Sequence, residues 1–351
     1  MKIGLIIYGS LETMSGGYLY DRKLVENLRS QGDTVEIISL PWRNYFSHLT
    51  DNFHFRLPRG FDILIEDELN HPSLLAAHSQ PYPCPVISIV HNLRSSEKRP
   101  EWQNIFYRTI ERRYLRTIDG FIFNSPTTRS AVSTLIGDSV PYVIAAPGGD
   151  RLGTLTPERI RKRAAESGPL RLLFLANVTP LKGLDVLLKA ICDCHLTVSV
   201  DVVGSLTVNS KYAKEMQRFV MVNGLQSTVH FHGILDGTAL VEKLQQTQVL
   251  VIPSFYEGFG IAYLEGMAFG LPAVGTTAGA IPRLITDGEN GFLIAPGDSE
   301  ILAKRLHQLA SDRGLLTQLS LNARERFDEF ATWEKSAESI RNFLLQMIKE
   351  K

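Results

Sequence analysis

The stretch from Val251 to Gly275, VIPSFYEGFGIAYLEGMAFGLPAVG, constrains the fold more than any other part of the chain. Val249 to Ile252 is a short apolar run rich in β-branched residues, the pattern of a strand buried on both faces of a parallel sheet. Pro253 and Ser254 end it, and Glu257-Gly258-Phe259-Gly260 forms a glycine-flanked loop. Ile261, Tyr263, Leu264, Met267 and Ala268 then recur at helical spacing, which predicts a helix starting near Gly260. Gly270-Leu271-Pro272 stops the helix, and Ala273 to Thr276 opens another strand. Strand, glycine loop, helix and strand make the βαβ unit of an open parallel sheet, whose ligands bind beyond the carboxyl ends of the strands. The unpaired amides at a helix N-terminus favour an anion there. Glu257 in the loop and Glu265 in the helix would lie about 12 Å apart on one continuous helix, a spacing for gripping two parts of a long ligand through its hydroxyls.

The string EGFGIAYLEGMAFGLPAV resembles the nucleotide-sugar signature of family 4 glycosyltransferases. The rest of the chain offers several points of comparison. Lys2 to Tyr8 reads as a strand, Gly9 to Gly17 as a loop, Tyr18 to Gln31 as a helix and Thr34 to Leu40 as the next strand. No G-x-G-x-x-G dinucleotide fingerprint is present, although Gly16-Gly17 would let a phosphate or sugar approach the backbone. Further strands are expected at 62–65, 86–90, 120–123 and 142–145. His91 follows the strand Val86 to Val90 at the edge where sites are built, and Asn124-Ser125 follows the next. The second half restarts the logic with a strand at 170–176, a loop at 177–183 and a helix at 184–192. In ANVTPLKGLDVLLKA, Lys182 stands where a point charge meets a phosphate. The string resembles the family's second donor motif, but Ala176-Asn177 stands where that motif has glycine and arginine. Asn177 offers a hydrogen bond without the charge.

The resemblance, which runs over essentially the full length, implies an α/β protein with two Rossmann-like domains facing across a cleft, the GT-B arrangement. The expected divisions are an acceptor-side domain at 1–150, a linker at 151–168, a nucleotide-sugar domain at 169–330, and a C-terminal helix at 331–351 crossing back to the first domain. It also implies transfer of a sugar from a nucleotide diphosphate sugar to an acceptor hydroxyl, with retained configuration and no obligatory cofactor or metal. Lys182 would then hold the diphosphate, Gly258, Phe259 and Gly260 would offer amides, and Glu257 would bind sugar hydroxyls. Glu265 would bind the ribose, His91 would approach the sugar, and Gly16-Gly17 would line the phosphate side. The acceptor is expected to be a sugar, a lipid-linked sugar or a small molecule, in glycan, glycolipid or polysaccharide synthesis.

Composition narrows the setting. The 351 residues suffice for two domains, and 37 basic residues balance 37 acidic ones, so there is no bulk electrostatic case for nucleic acid. Three cysteines and no apolar run of membrane length predict a reduced, cytoplasmic location. Neither Cys192-x-Cys194-His195 nor the His230/His232 pair has a further ligand at metal-site spacing, so no metal is expected. Within 94–116, Trp102, Ile105, Phe106, Ile110, Tyr114 and Leu115 mix with arginines; the segment reads as a surface helix with its apolar stripe on the sheet. Arg94, Lys98 and Arg99 leave a peripheral membrane contact open. Three other functions compete: a glycoside hydrolase, a sugar-nucleotide epimerase of the same shape, and a non-catalytic sugar-nucleotide-binding subunit that the missing arginine would suit.

Overall fold

The parallel pattern expected for the first half is present in a computed structural model of the chain, which describes residues 1–78, 82–97, 99–193 and 197–351. Lys98, Cys194 and His195 lie outside the described residues. Contacts divide the chain into one unit of Met1–Pro147 with Ala331–Lys351, and another of Gly148–Phe330.

In the first unit six strands, β1 (Lys2–Tyr8), β2 (Thr34–Leu40), β3 (Ile63–Asp67), β4 (Val86–Val90), β5 (Gly120–Phe123) and β6 (Tyr142–Ile144), pair in the order β2-β1-β3-β4-β5-β6, all parallel. Every residue of β3, β4 and β5 is buried, as expected of strands covered by helices on both faces. The helix Trp333–Glu350 belongs to this unit. Phe343 and Met347 press on Gly120, Arg341 pairs with Asp33 at 2.7 Å, and Ser336 donates to the Ala146 carbonyl.

The second unit contains β7 (Leu170–Leu175), β8 (Val198–Val203), β9 (Val229–Gly233), β10 (Val249–Val251), β11 (Ala273–Thr276) and β12 (Gly291–Ile294), in the order β12-β11-β10-β7-β8-β9. Counted within the unit this is the 3-2-1-4-5-6 order of the doubly wound dinucleotide fold, with its direction of winding reversed between β7 and β10. Where a linker is expected, Pro157–Ala165 forms a helix that buries Ile160, Arg163 and Ala164 in this unit, with Arg163 donating to the Gly270 and Leu244 carbonyls.

Two local expectations change. Gly16 and Gly17 are not loop residues: they open the helix Gly16–Ser30, whose cap is Ser15, accepting from the Tyr18 amide. The helix Glu101–Leu115 is also turned differently from its sequence reading. It buries Asn104, Tyr107, Glu111, Tyr114 and Leu115, while Trp102 and Ile105 stay exposed. Polar partners set that rotation, because Asn104 donates to the Glu97 carbonyl and Glu111 accepts from the Ser95 amide.

Candidate active site

The loops after β7 and β10 leave the sheet of the second unit on either side of its switch point, where an open sheet forms its ligand crevice. Lys182 and Glu257, on those two loops, meet at 2.6 Å, and Ser254 donates to the same Glu257 oxygen at 2.8 Å. The approach depends on Gly183. Its φ is +70°, and a Cβ there would stand 2.2 Å from the Pro253 carbonyl oxygen, so only glycine lets one loop lie on the other. The Phe255 amide also donates to the Leu181 carbonyl at 2.8 Å, closing the two loops together. Gly183→Ala is therefore expected to destabilise the protein by more than about 1 kcal/mol, read as a lowered melting midpoint, and to disturb Lys182. A wild-type midpoint would contradict this packing.

The signature helix is Ile261–Ala268, preceded by Gly260 at φ +102°. Tyr263 anchors it by donating to the Ile252 carbonyl at 2.6 Å, and Thr276 ties β11 to the loop by donating to the Ser254 carbonyl at 2.7 Å. Phe259 is buried, whereas Gly258 and Gly260 are partly exposed. Glu265 is buried, and Arg151 donates to its Oε1 through Nε at 3.0 Å and a terminal nitrogen at 2.7 Å. Burial pushes the Glu265 carboxyl above the ordinary glutamate range, against Arg151, which holds it down. Sequence reasoning missed Arg151, which lies far from Glu265 along the chain. It reaches the helix because Asp150–Leu152 folds over it and the Leu155 amide donates to the Ala268 carbonyl at 3.1 Å. Asn177 uses its side-chain oxygen to accept from the Ser205 amide at 3.0 Å, fastening the loop after β7 to the loop after β8.

In the first unit His91 stands just beyond β4. Its Nε2 lies 3.0 Å from Asp21, which is fully buried, and the Tyr20 ring meets it edge-on at 5.2 Å. Gly17 packs on the imidazole, where a Cβ would come within 3.1 Å of Cδ2. Asn124, at the matching position after β5, donates to the His91 carbonyl at 2.8 Å. Burial alone would lower the His91 pKa, but Asp21, followed by Asp67 and Glu68, overcomes it and raises the value to about 9. Burial and Asp21 together push Asp67 up to about 7.

Among the described residues two groups have ligand atoms close enough to hold a metal ion: Asp21, Asp67 and His91, and Glu68, His71 and Glu111. Neither includes His230 or His232; His232 instead pairs with Asp201. No helix among the described residues is long and apolar enough to cross a membrane.

Residues 156–326 match the family described as glycosyl transferases group 1. The chain is 26% identical over 291 residues to the MMP alpha-(1->4)-mannosyltransferase of Mycolicibacterium hassiacum, covering 79% of this chain and 68% of that protein. It is 29% identical over 192 residues to the D-inositol 3-phosphate glycosyltransferase of an Arthrobacter species, covering 51% of this chain and 45% of the relative. Apart from the mannosyltransferase, the curated relatives compared are spanned over 36% to 57% of their length. Among solved structures, sucrose-phosphate synthase from Thermosynechococcus elongatus superposes with a TM-score of 0.85 at 19% identity, over 100% of both chains. Anabaena HepE in complex with UDP and glucose gives a TM-score of 0.75 at 19% identity, covering 98% of this chain and 99% of that one. The fold is that of the GT-B glycosyltransferases.

Proposed function

We propose, from the match of residues 156–326 to the glycosyl transferases group 1 family, that the chain transfers a sugar from a nucleotide diphosphate sugar to an acceptor hydroxyl, retaining the anomeric configuration. The observation that carries this reading is the Lys182–Glu257 pair at the carboxyl ends of β7 and β10, on both sides of the switch point of the second sheet. A diphosphate entering there meets a cation and the first turn of the helix Ile261–Ala268, a site suited to anions. As the sugar–oxygen bond breaks, negative charge develops on the diphosphate, and Lys182 stabilises it more in the transition state than in the ground state. Electrostatic help to the leaving group performs the work that a nucleophile or a metal would otherwise do. Glu257, released from Lys182 by the phosphate, becomes an acceptor for sugar hydroxyls.

Glu265 binds the ribose hydroxyls, with Arg151 holding one carboxylate oxygen in place. In the first unit His91 serves as an imidazolium donor to the substrate, held by Asp21. The alpha-(1->4) linkage in the name of the mannosyltransferase relative favours a carbohydrate hydroxyl as the attacking group.

The test is thermal stability with nucleotides and nucleotide sugars of uridine, guanosine and adenosine. A ligand at a hundred times its dissociation constant stabilises by about 2.7 kcal/mol, which raises the midpoint by several degrees. A shift with one base, followed by donor consumption only when acceptor is added, supports transfer; no shift with any nucleotide overturns it. Glu265→Gln is expected to weaken nucleotide affinity about tenfold and, because it breaks a buried pair with Arg151, to lower the unliganded midpoint as well. Unchanged affinity would remove the ribose role.

A further inference from the structure

We propose that the outer face of the helix Glu101–Leu115, together with Phe46, is a docking surface for an anionic lipid bilayer. Trp102 is 70% exposed, Phe46 66% and Ile105 54%, values unusual for large apolar side chains with partners at hand. Phe46 lies beside the helix rather than apart from it, its ring 5.8 Å from that of Phe106. Stepping along the helix at about 100° per residue, Trp102, Ile105, Arg108, Arg112, Arg113 and Arg116 fall within one half of its circumference. All four of those arginines are exposed, and the only acidic residue exposed on the helix is Glu101, at its first position. One face therefore offers an indole, an aromatic ring and an aliphatic chain to the acyl boundary, with guanidinium groups to reach lipid phosphates.

The charge balance of the sequence hides this surface. Among the described residues of Met1–Pro147, Asp21, Asp33, Glu66, Asp67, Glu68 and Glu111 are buried, whereas no lysine or arginine is. A count that includes those six carboxylates makes the segment look neutral; the surface that a partner meets is basic. Charge complementarity thus selects a negatively charged partner. The exposed tryptophan beside the basic residues selects a bilayer interface, where indole and guanidinium settle at different depths. The inference stands apart from the transfer reading, since it concerns lipid binding alone.

Flotation of the whole protein with vesicles tests it. Vesicles of phosphatidylcholine mixed with phosphatidylglycerol are expected to carry the protein, and phosphatidylcholine alone is not. Each arginine removed in Arg112→Gln and Arg113→Gln should lower the partition about fivefold, and added salt should weaken it further. The double variant Trp102→Ser with Ile105→Ser should lose the vesicles while keeping the melting midpoint, because both side chains are exposed. If that midpoint falls, Phe46→Ser serves as the second apolar variant. No binding to anionic vesicles, or equal binding by all variants, overturns the proposal. So does a dimer at working concentration that Trp102→Ser converts to monomer, which would make the face a subunit interface.

Discussion

Lys182→Ala is expected to lower kcat for sugar transfer by about 10²- to 10³-fold, the cost of removing one preorganised group that stabilises charge on a leaving oxygen. The donor KM should rise less, because the developing charge on the departing diphosphate exceeds what the bound substrate presents. Structural damage would be a competing explanation, and the geometry limits it. The side chains of Lys182 and Glu257 retain 25% and 11% of their exposure, and Ser254 still donates to Glu257 when the lysine is gone. Loss of a partly solvated pair of this kind costs about 1 kcal/mol or less. The melting midpoint should therefore move by a few degrees at most while catalysis collapses. Steady-state kinetics with saturating acceptor, set beside a thermal melt, separates the two effects. Transfer at near wild-type rate in Lys182→Ala would end the assignment of the diphosphate to this loop.

The parts of the site that sequence disclosed are those carried by short-range pattern. Glu257 to Glu265 lies in one loop and helix, Lys182 in another, and both follow short apolar runs whose burial needs no knowledge of partners. The order of the strands was not available in that way. Its consequence, that the loops after β7 and β10 are neighbours, comes from a sheet whose winding reverses between them. Arg151 and Asp21 were invisible for the same reason: each reaches its partner only after the chain has returned across the unit, and an arginine or aspartate alone carries no signal. The helix Glu101–Leu115 shows the opposite failure. Its apolar residues suggested an inward stripe, yet hydrogen bonds made by Asn104 and Glu111 turn Trp102 outward. Side-chain polarity at two positions, not the average of the helix, set its rotation.

Asp21→Asn should change the pH dependence of the reaction more than the fold. His91 in the native protein titrates near pH 9, above the ordinary histidine value of 6.5, because Asp21 outweighs the burial that would lower it. With a raised native pKa, the pairing stabilises the fold fully below about pH 6.5 and loses that contribution as pH rises through about 9. Asparagine preserves the shape of the aspartate but removes its charge, so burial acts on His91 with less opposition. Asp67 at the end of β3 and Glu68 remain the carboxylates facing it, while Tyr20 stays neutral because burial raises its pKa. Losing Asp21 also lowers the pKa of Asp67, which Asp21 helps to raise, so Asp67 stays ionised to lower pH and keeps some opposition to the burial of His91. The alkaline limb of kcat/KM is therefore expected to move down from about 9, and to move further in Asp21→Asn with Asp67→Asn. The fall in melting midpoint expected of the wild type as pH rises through about 9 should be reduced in Asp21→Asn. His91 titrated by nuclear magnetic resonance provides the site-specific reading. An alkaline limb that stays near 9 in the single variant, with His91 itself shifted, would mean that the imidazolium serves the fold and takes no part in transfer.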